Sequence, residues 1–109
     1  MTMQLTGFRV PIGTRLQLSI IGADYKAQSV LGQLMGYRVD ICLLVYILKK
    51  PAVVIPRDAI VAVRLGLQSA IIQFESVVDY VCEAPCLYLH VAYPVSVQIE
   101  QQQRKNPRF

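Results

Sequence analysis

The chain has 109 residues, of which 54% are apolar and 17% are charged, and this balance excludes intrinsic disorder and supplies one hydrophobic core. The net charge is +4, but Arg104, Lys105 and Arg108 provide three of the positive charges, and basic and acidic groups nearly cancel over residues 1–100. A nucleic-acid-binding domain is expected to carry a basic stripe across its body. We therefore predict no nucleic-acid partner.

The chain shows no signal for secretion or membrane insertion. Its longest stretch without Asp, Glu, Lys or Arg runs from Ala84 to Ile99, which is shorter than the roughly 20 residues of a helical span. Arg9 and Arg15 interrupt the N-terminal region, so it lacks the charged start and clean apolar core of a signal peptide. We expect a cytoplasmic protein with no membrane span.

Strand periodicity dominates the first half of the chain. Within residues 14–20, Leu16, Leu18 and Ile20 alternate with polar residues, which is the period-2 pattern of a strand with one wet face. Residues 41–48 are apolar at consecutive positions, as in a strand that is packed on both faces. Turn residues at Gly22–Asp24 and again from Gly36 to Asp40 separate these segments.

The second half continues the same pattern after a loop that runs from Lys49 to Asp58. Residues 59–67 alternate again, and a tight hairpin is predicted at 66–69. In residues 71–82 the alternation predicts one shared face, formed by Ile72, Phe74, Val78 and Tyr80. In residues 87–93 it predicts another, formed by Leu87, Leu89, Val91 and Tyr93, with Tyr88 and His90 on the opposite side.

About six strands with short links indicate an antiparallel meander, and a chain this apolar is expected to close the sheet into a small barrel that hides its edges. We predict an all-β domain over residues 1–100. From Gln101 onward the composition becomes polar and basic without periodicity, which predicts a linker over residues 101–109.

Catalytic and metal-binding patterns are scarce. Cys42, Cys82 and Cys86 are odd in number, which argues against a disulfide framework. Cys82, Cys86 and His90 match no zinc spacing, and no nucleophile can be assigned a base. Gly32 and Gly36 stand alone and are interpreted as turn or bulge glycines rather than as part of a phosphate loop. We predict that the chain is not an enzyme and holds no cofactor or metal.

Arg104 and Arg108 form a more informative pair. Two guanidinium groups four residues apart can each form bidentate hydrogen bonds to a phosphate or to the edge of a guanine. A basic tail that is merely solvated would have the same sequence, so the spacing alone leaves both interpretations open.

Several short motifs occur in a characteristic order along nearly the whole chain: VPIGTRLQLSI at 10–20, SVLGQLMG at 29–36, IVAVRLG at 60–66, APCLYLHVAYPVSV at 84–97 and RKNPRF at 104–109. In this order they resemble the N-terminal domain of YcgR-type flagellar brake proteins, which precedes a PilZ domain in effectors of cyclic di-GMP.

The resemblance implies an antiparallel six-stranded split β-barrel and a non-enzymatic regulatory role in flagellar motility. It also implies that Arg104 and Arg108 match the two arginines that grip cyclic di-GMP at the start of a PilZ domain. The second ligand motif of that family, [Asp/Asn]-x-Ser-x-x-Gly, has no copy in this chain. Residues Ser29 to Gly32 match the end of the motif, but Ala27 stands where its first residue, Asp or Asn, would be. The resemblance therefore implies half of a ligand site.

Two questions stay open at this level. A flavin-binding split-barrel oxidoreductase is the alternative function. It would need basic or hydroxyl groups on the barrel for the flavin phosphate, with Arg15, Lys26, Arg38 and Arg64 as candidates that form no pattern. An apolar barrel face could serve a following PilZ domain, a flagellar motor component or a homodimer. His90, on a strand face with Tyr88, is interpreted as a structural residue.

Overall fold

The computed structural model describes residues 2–3, 10–22, 27–49, 55–67 and 70–101. The regular elements in these ranges are all strands: β1 Thr2–Met3, β2 Arg15–Ile21, β3 Ala27–Arg38, β4 Cys42–Ile47, β5 Ile60–Leu67, β6 Ala70–Cys82, β7 Tyr88–Ala92 and β8 Val97–Gln101. No helix in the described ranges is long and apolar enough to cross a membrane.

Six of these strands close into an antiparallel barrel in the order β5-β2-β3-β4-β7-β6, with β6 returning to β5. Closure depends on the length of β6, because its 13 residues allow different partners at its two ends. Residues 70–73 pair with β8, whereas Val78–Cys82 pair with β7. The prediction of an all-β, antiparallel six-stranded split barrel is confirmed.

The core lies inside this barrel and follows the predicted alternation. On β2, Leu16, Leu18 and Ile20 are each 2% exposed, whereas Arg15 and Gln17 on the other face are exposed. The alternating faces of β5 and β7 are confirmed in the same way. Burial of these large aliphatic side chains, at about 25 cal/mol per Å² of apolar surface, is the main stabilising term of such a fold.

The predicted inner face of β6 is wrong at one position, Tyr80. The side chain is 52% exposed, because a β-bulge shifts the pairing with β7 between Val78, which opposes Val91, and Tyr80, which opposes His90. Asp79 is the extra residue. One extra residue moves every following side chain to the opposite face, so Tyr80 lies outside the barrel and Val81 packs against the core.

The two glycines of β3 have different roles. The turn predicted around Gly36 is instead formed by residues 39–41, and Gly36 lies within the strand beside a bulge between Leu34 and Gly36. Gly32 is neither a turn nor a bulge residue. It is buried at the centre of the strand, where a Cβ atom would stand 2.6 Å from Cγ1 of Val45.

Strand β8 extends the sheet beyond the barrel and was not among the predicted strands. It pairs with the first residues of β6, from Gln73 opposite Gln98 to Ala70 opposite Gln101, and with β1 on its other edge. Within this strand, the side chain of Val97 is buried in the core and that of Ile99 packs against the core. The alternation of these two residues with Gln98 and Glu100 is the sequence signal for this strand.

Candidate functional site

Arg104 and Arg108, the ligand residues predicted from the sequence, lie outside the described residues. The last described strand, β8, ends at Gln101, which pairs with Ala70 at the start of β6. Arg104 follows three residues later in the sequence.

A first candidate site lies on the outer surface of β4, β7 and the second half of β6. Two rows of side chains cross these three strands: Leu44, His90 and Tyr80 oppose one another, and so do Tyr46, Tyr88 and Cys82. We call these six residues the aromatic face. None of them is Asp, Glu, Lys or Arg, so an apolar partner surface can approach without stripping water from a full charge.

Ring contacts hold the centre of the aromatic face in one arrangement. The ring of His90 lies 5.4 Å from that of Tyr80 at an interplanar angle of 85°, and 5.7 Å from that of Tyr88 at 28°. Both distances fall within the range of favourable aromatic pairs. His90 is half-buried between the two tyrosines, and Tyr80 is in the face only because of the bulge at Asp79.

Tyr88 is tied to the end of the β6–β7 hairpin through Cys82. The Cys82 thiol donates a hydrogen bond to the carbonyl oxygen of Ala84, at 3.2 Å. The pKa of Tyr88 is raised above its ordinary value of 10.0. The largest cause is a hydrogen bond between the phenol and this thiol, and the next is the negative charge of the thiol when it is ionised. Cys86 lies near the same phenol and adds a smaller effect in the same direction.

Replacing Cys82 with alanine is expected to lower the pKa of Tyr88 toward its ordinary value, because the largest cause of the shift is removed. The pKa of Tyr88 is higher in the folded chain than in the unfolded chain, so the folded chain keeps the phenol proton to a higher pH. The free energy of unfolding therefore falls as the pH rises from about 10 through the folded-state pKa. The ultraviolet absorbance of tyrosinate, taken as the difference between wild type and Tyr88→Phe, reports this pKa. Cys86→Ala is the matched control with a smaller expected change, and equal effects of the two replacements would contradict the assignment.

A second feature, which we call the polar groove after the polar side chains along it, lies on the outer surface of β2, β3, β5 and β6 and is also lined by Val95, Ser96 and Gln98. It is a groove of about 750 Å³, which includes Ser19, Ala62, Arg64 and Glu75 in its lining. Of the basic residues considered for a flavin phosphate, only Arg64 lines this groove, and Lys26 lies outside the described residues. Arg15 and Arg38 are exposed elsewhere on the barrel. We therefore propose no flavin site.

The described residues include no group of three or more His, Cys, Asp or Glu side chains that could hold a metal ion. Cys42, Cys82 and Cys86 are all free and half-buried.

A solved structure shares the fold of this chain. The barrel is similar to the structure of the Bacillus subtilis inhibitor of motility, MotI/DgrA, with a TM-score of 0.68 and 16% sequence identity. The match covers 87% of this chain and 48% of that one, so the chain spans about half the length of the protein it resembles. The two share a fold.

The sequence then gives the family. The family model PilZNR, described as flagellar protein YcgR, matches residues 11–94, and the chain belongs to this family. The resemblance stated from the sequence motifs is confirmed. No curated protein matches the chain.

Proposed function

We propose that this domain of the YcgR family is a non-enzymatic part of a cytoplasmic, cyclic di-GMP-responsive regulator of flagellar motility. The observation that carries the proposal is the position of Arg104 and Arg108, which follow directly after the barrel that the family model matches. Cyclic di-GMP offers two phosphates and two guanines, and a guanidinium group can form paired hydrogen bonds with either.

The ligand would act by fixing geometry. The short connection between Gln101 and Arg104 limits how far a ligand bound by the arginines can move from the barrel. The remainder of the ligand site would come from a following PilZ domain, since the second motif has no copy here. Binding at the junction would then restrict the orientation of the two domains, which is a common way to convert a small ligand into a large surface change.

The aromatic face is the surface we propose for contact with a protein partner, a component of the flagellar motor. It combines an exposed tyrosine, Tyr80, with rings that are already held by mutual contacts. Rigid aromatic side chains lose little conformational entropy on binding, and tyrosine is enriched where binding energy is concentrated. A homodimer or the PilZ domain itself would compete for the same face.

Small-angle X-ray scattering of the full-length gene product tests the ligand-dependent change. We expect cyclic di-GMP to reduce the radius of gyration of the wild type and to have no such effect on Arg104→Glu or Arg108→Glu, because charge reversal repels the phosphates. Lys105→Glu is the matched control, since it changes the same charge between the two arginines and should still become compact. Compaction of the Arg104→Glu and Arg108→Glu variants equal to that of the wild type would refute the role of this pair.

A further inference from the structure

The polar groove crosses four strands and has a floor of small side chains. Ser29 on β3, Ser19 on β2 and Ala62 on β5 oppose one another in register, and Glu75 on β6 continues the same row. Neighbouring strands lie about 4.8 Å apart, so the row from Ser29 to Glu75 is about 14 Å long. Small side chains along it allow the backbone of a bound molecule to come close to the sheet.

One side of this floor carries long polar side chains in register. Gln17, Arg64, Gln73 and Gln98 oppose one another across β2, β5, β6 and β8. They lie two positions along their strands from the floor, or about 7 Å. Amide groups both donate and accept hydrogen bonds, whereas a guanidinium only donates. This wall can therefore pair with peptide groups and with a carboxylate beside Arg64.

The other side of the floor is apolar. Ile21, Ile60 and Val77 oppose one another two positions away in the opposite direction, and Ile60 and Val77 are 49% and 38% exposed. Large aliphatic side chains this exposed on the outer face of a barrel offer apolar surface to a ligand. These three residues lie beside the groove rather than in its lining, in which the exposed apolar side chain is that of Val95. The groove thus has a polar wall and a small floor, with apolar surface next to it.

The charges of the groove set the spacing of the charged side chains along the ligand. Arg64 and Glu75 lie on adjacent strands in the two neighbouring rows, a diagonal relation that separates their Cα atoms by about 7–8 Å. Two residues of an extended peptide with one residue between them are separated by about 7 Å and point to the same side. An acidic and a basic side chain spaced in this way would meet Arg64 and Glu75 respectively.

We propose that this groove binds an extended segment of a partner protein with an acidic-x-basic pattern and a neighbouring apolar residue. The segment lies along Ser29, Ser19 and Ala62, its peptide groups pair with the glutamines, and its apolar side chain contacts Ile60 and Val77. The groove volume of about 750 Å³ falls within the ordinary range of ligand sites. The site is separate from the aromatic face and does not depend on cyclic di-GMP.

Selection from a display library of random dodecapeptides against the 109-residue chain tests the proposal. We expect enriched peptides to share the acidic-x-basic pattern and to bind Ala62→Arg, which fills the floor, at least about tenfold more weakly than wild type. Arg64→Glu should bind the selected peptides more weakly than wild type, because their acidic side chain would then face a carboxylate. Thermal melting checks that both variants fold.

Val39→Ser is the control that should leave binding of the selected peptides unchanged, because Val39 is exposed in the β3–β4 turn, outside both the groove and the aromatic face. Three outcomes would overturn the proposal: no enrichment over an unrelated immobilised protein, equal binding to wild type and Ala62→Arg, or loss of binding in Val39→Ser. The proposal would also be overturned if the selected peptides carried only acidic residues and if replacement of Arg64, but not of Glu75, weakened their binding. The groove would then be a simple anion site.

Discussion

Replacing Leu89 with alanine is expected to lower the free energy of unfolding by about 2–5 kcal/mol. Leu89 lies on β7, where the barrel closes, and opposes Val45 on one neighbouring strand and Val81 on the other. It is 0% exposed, so the substitution removes apolar atoms from a site enclosed on all sides. Barrel strands cannot move together to fill the space without breaking their pairing, and a cavity remains.

Chemical denaturation measures this loss directly. Leu31→Ala is the matched control, because Leu31 is the same residue type on β3 but is 40% exposed on the outer face, and exposed substitutions usually change stability by less than about 0.5 kcal/mol. Similar losses in the two variants would mean that β7 is not a closing strand of the core.

Replacing Gly32 with alanine is expected to destabilise the chain by about 1–3 kcal/mol, the ordinary effect of overpacking a core. The added Cβ would stand 2.6 Å from Cγ1 of Val45, 3.3 Å from Cδ1 of Leu18 and 3.3 Å from the carbonyl oxygen of Tyr46. Relief would require movement of the Val45 side chain and of β4 itself, since one of the three atoms belongs to the backbone.

Gly66→Ala is the control for this glycine replacement, because nothing lies within 4 Å of a Cβ at that position. There the loss of backbone freedom in the unfolded chain should leave stability unchanged or slightly higher. The difference in denaturation midpoint between the two variants is the measured quantity. A Gly32→Ala variant as stable as Gly66→Ala would contradict the close packing of β3 on β4.

Period-2 alternation was sufficient to predict which faces of β2, β5 and β7 are buried, because burial inside a barrel forces every second residue to be apolar. Tyr80 shows where such reasoning fails. Val78, Asp79 and Tyr80 alternate between apolar and polar in the sequence, which predicts one face for Val78 and Tyr80. The bulge between them is decided by how β6 pairs with β7, a strand that begins six residues after β6 ends. The aromatic face could not be predicted for the same reason.

Both interaction surfaces depend on register between strands that are distant in sequence. Ser29, Ala62 and Glu75 share one row of the groove only because β2 pairs with both β3 and β5, and because β5 pairs with β6. Nothing in the spacing of these residues indicates that they meet. Gly32 is a related case, since an isolated glycine in a strand is equally consistent with a bulge and with close packing.

Titration calorimetry of cyclic di-GMP into the full-length gene product and into the 109-residue chain tests the central claim most directly. We predict binding by the full-length protein, loss of that binding in Arg104→Ala, and at most weak binding by the 109-residue chain, in which the second ligand motif has no copy. Absence of binding by the full-length wild type, or unchanged binding in Arg104→Ala, would contradict the claim that the arginines after the barrel bind the ligand.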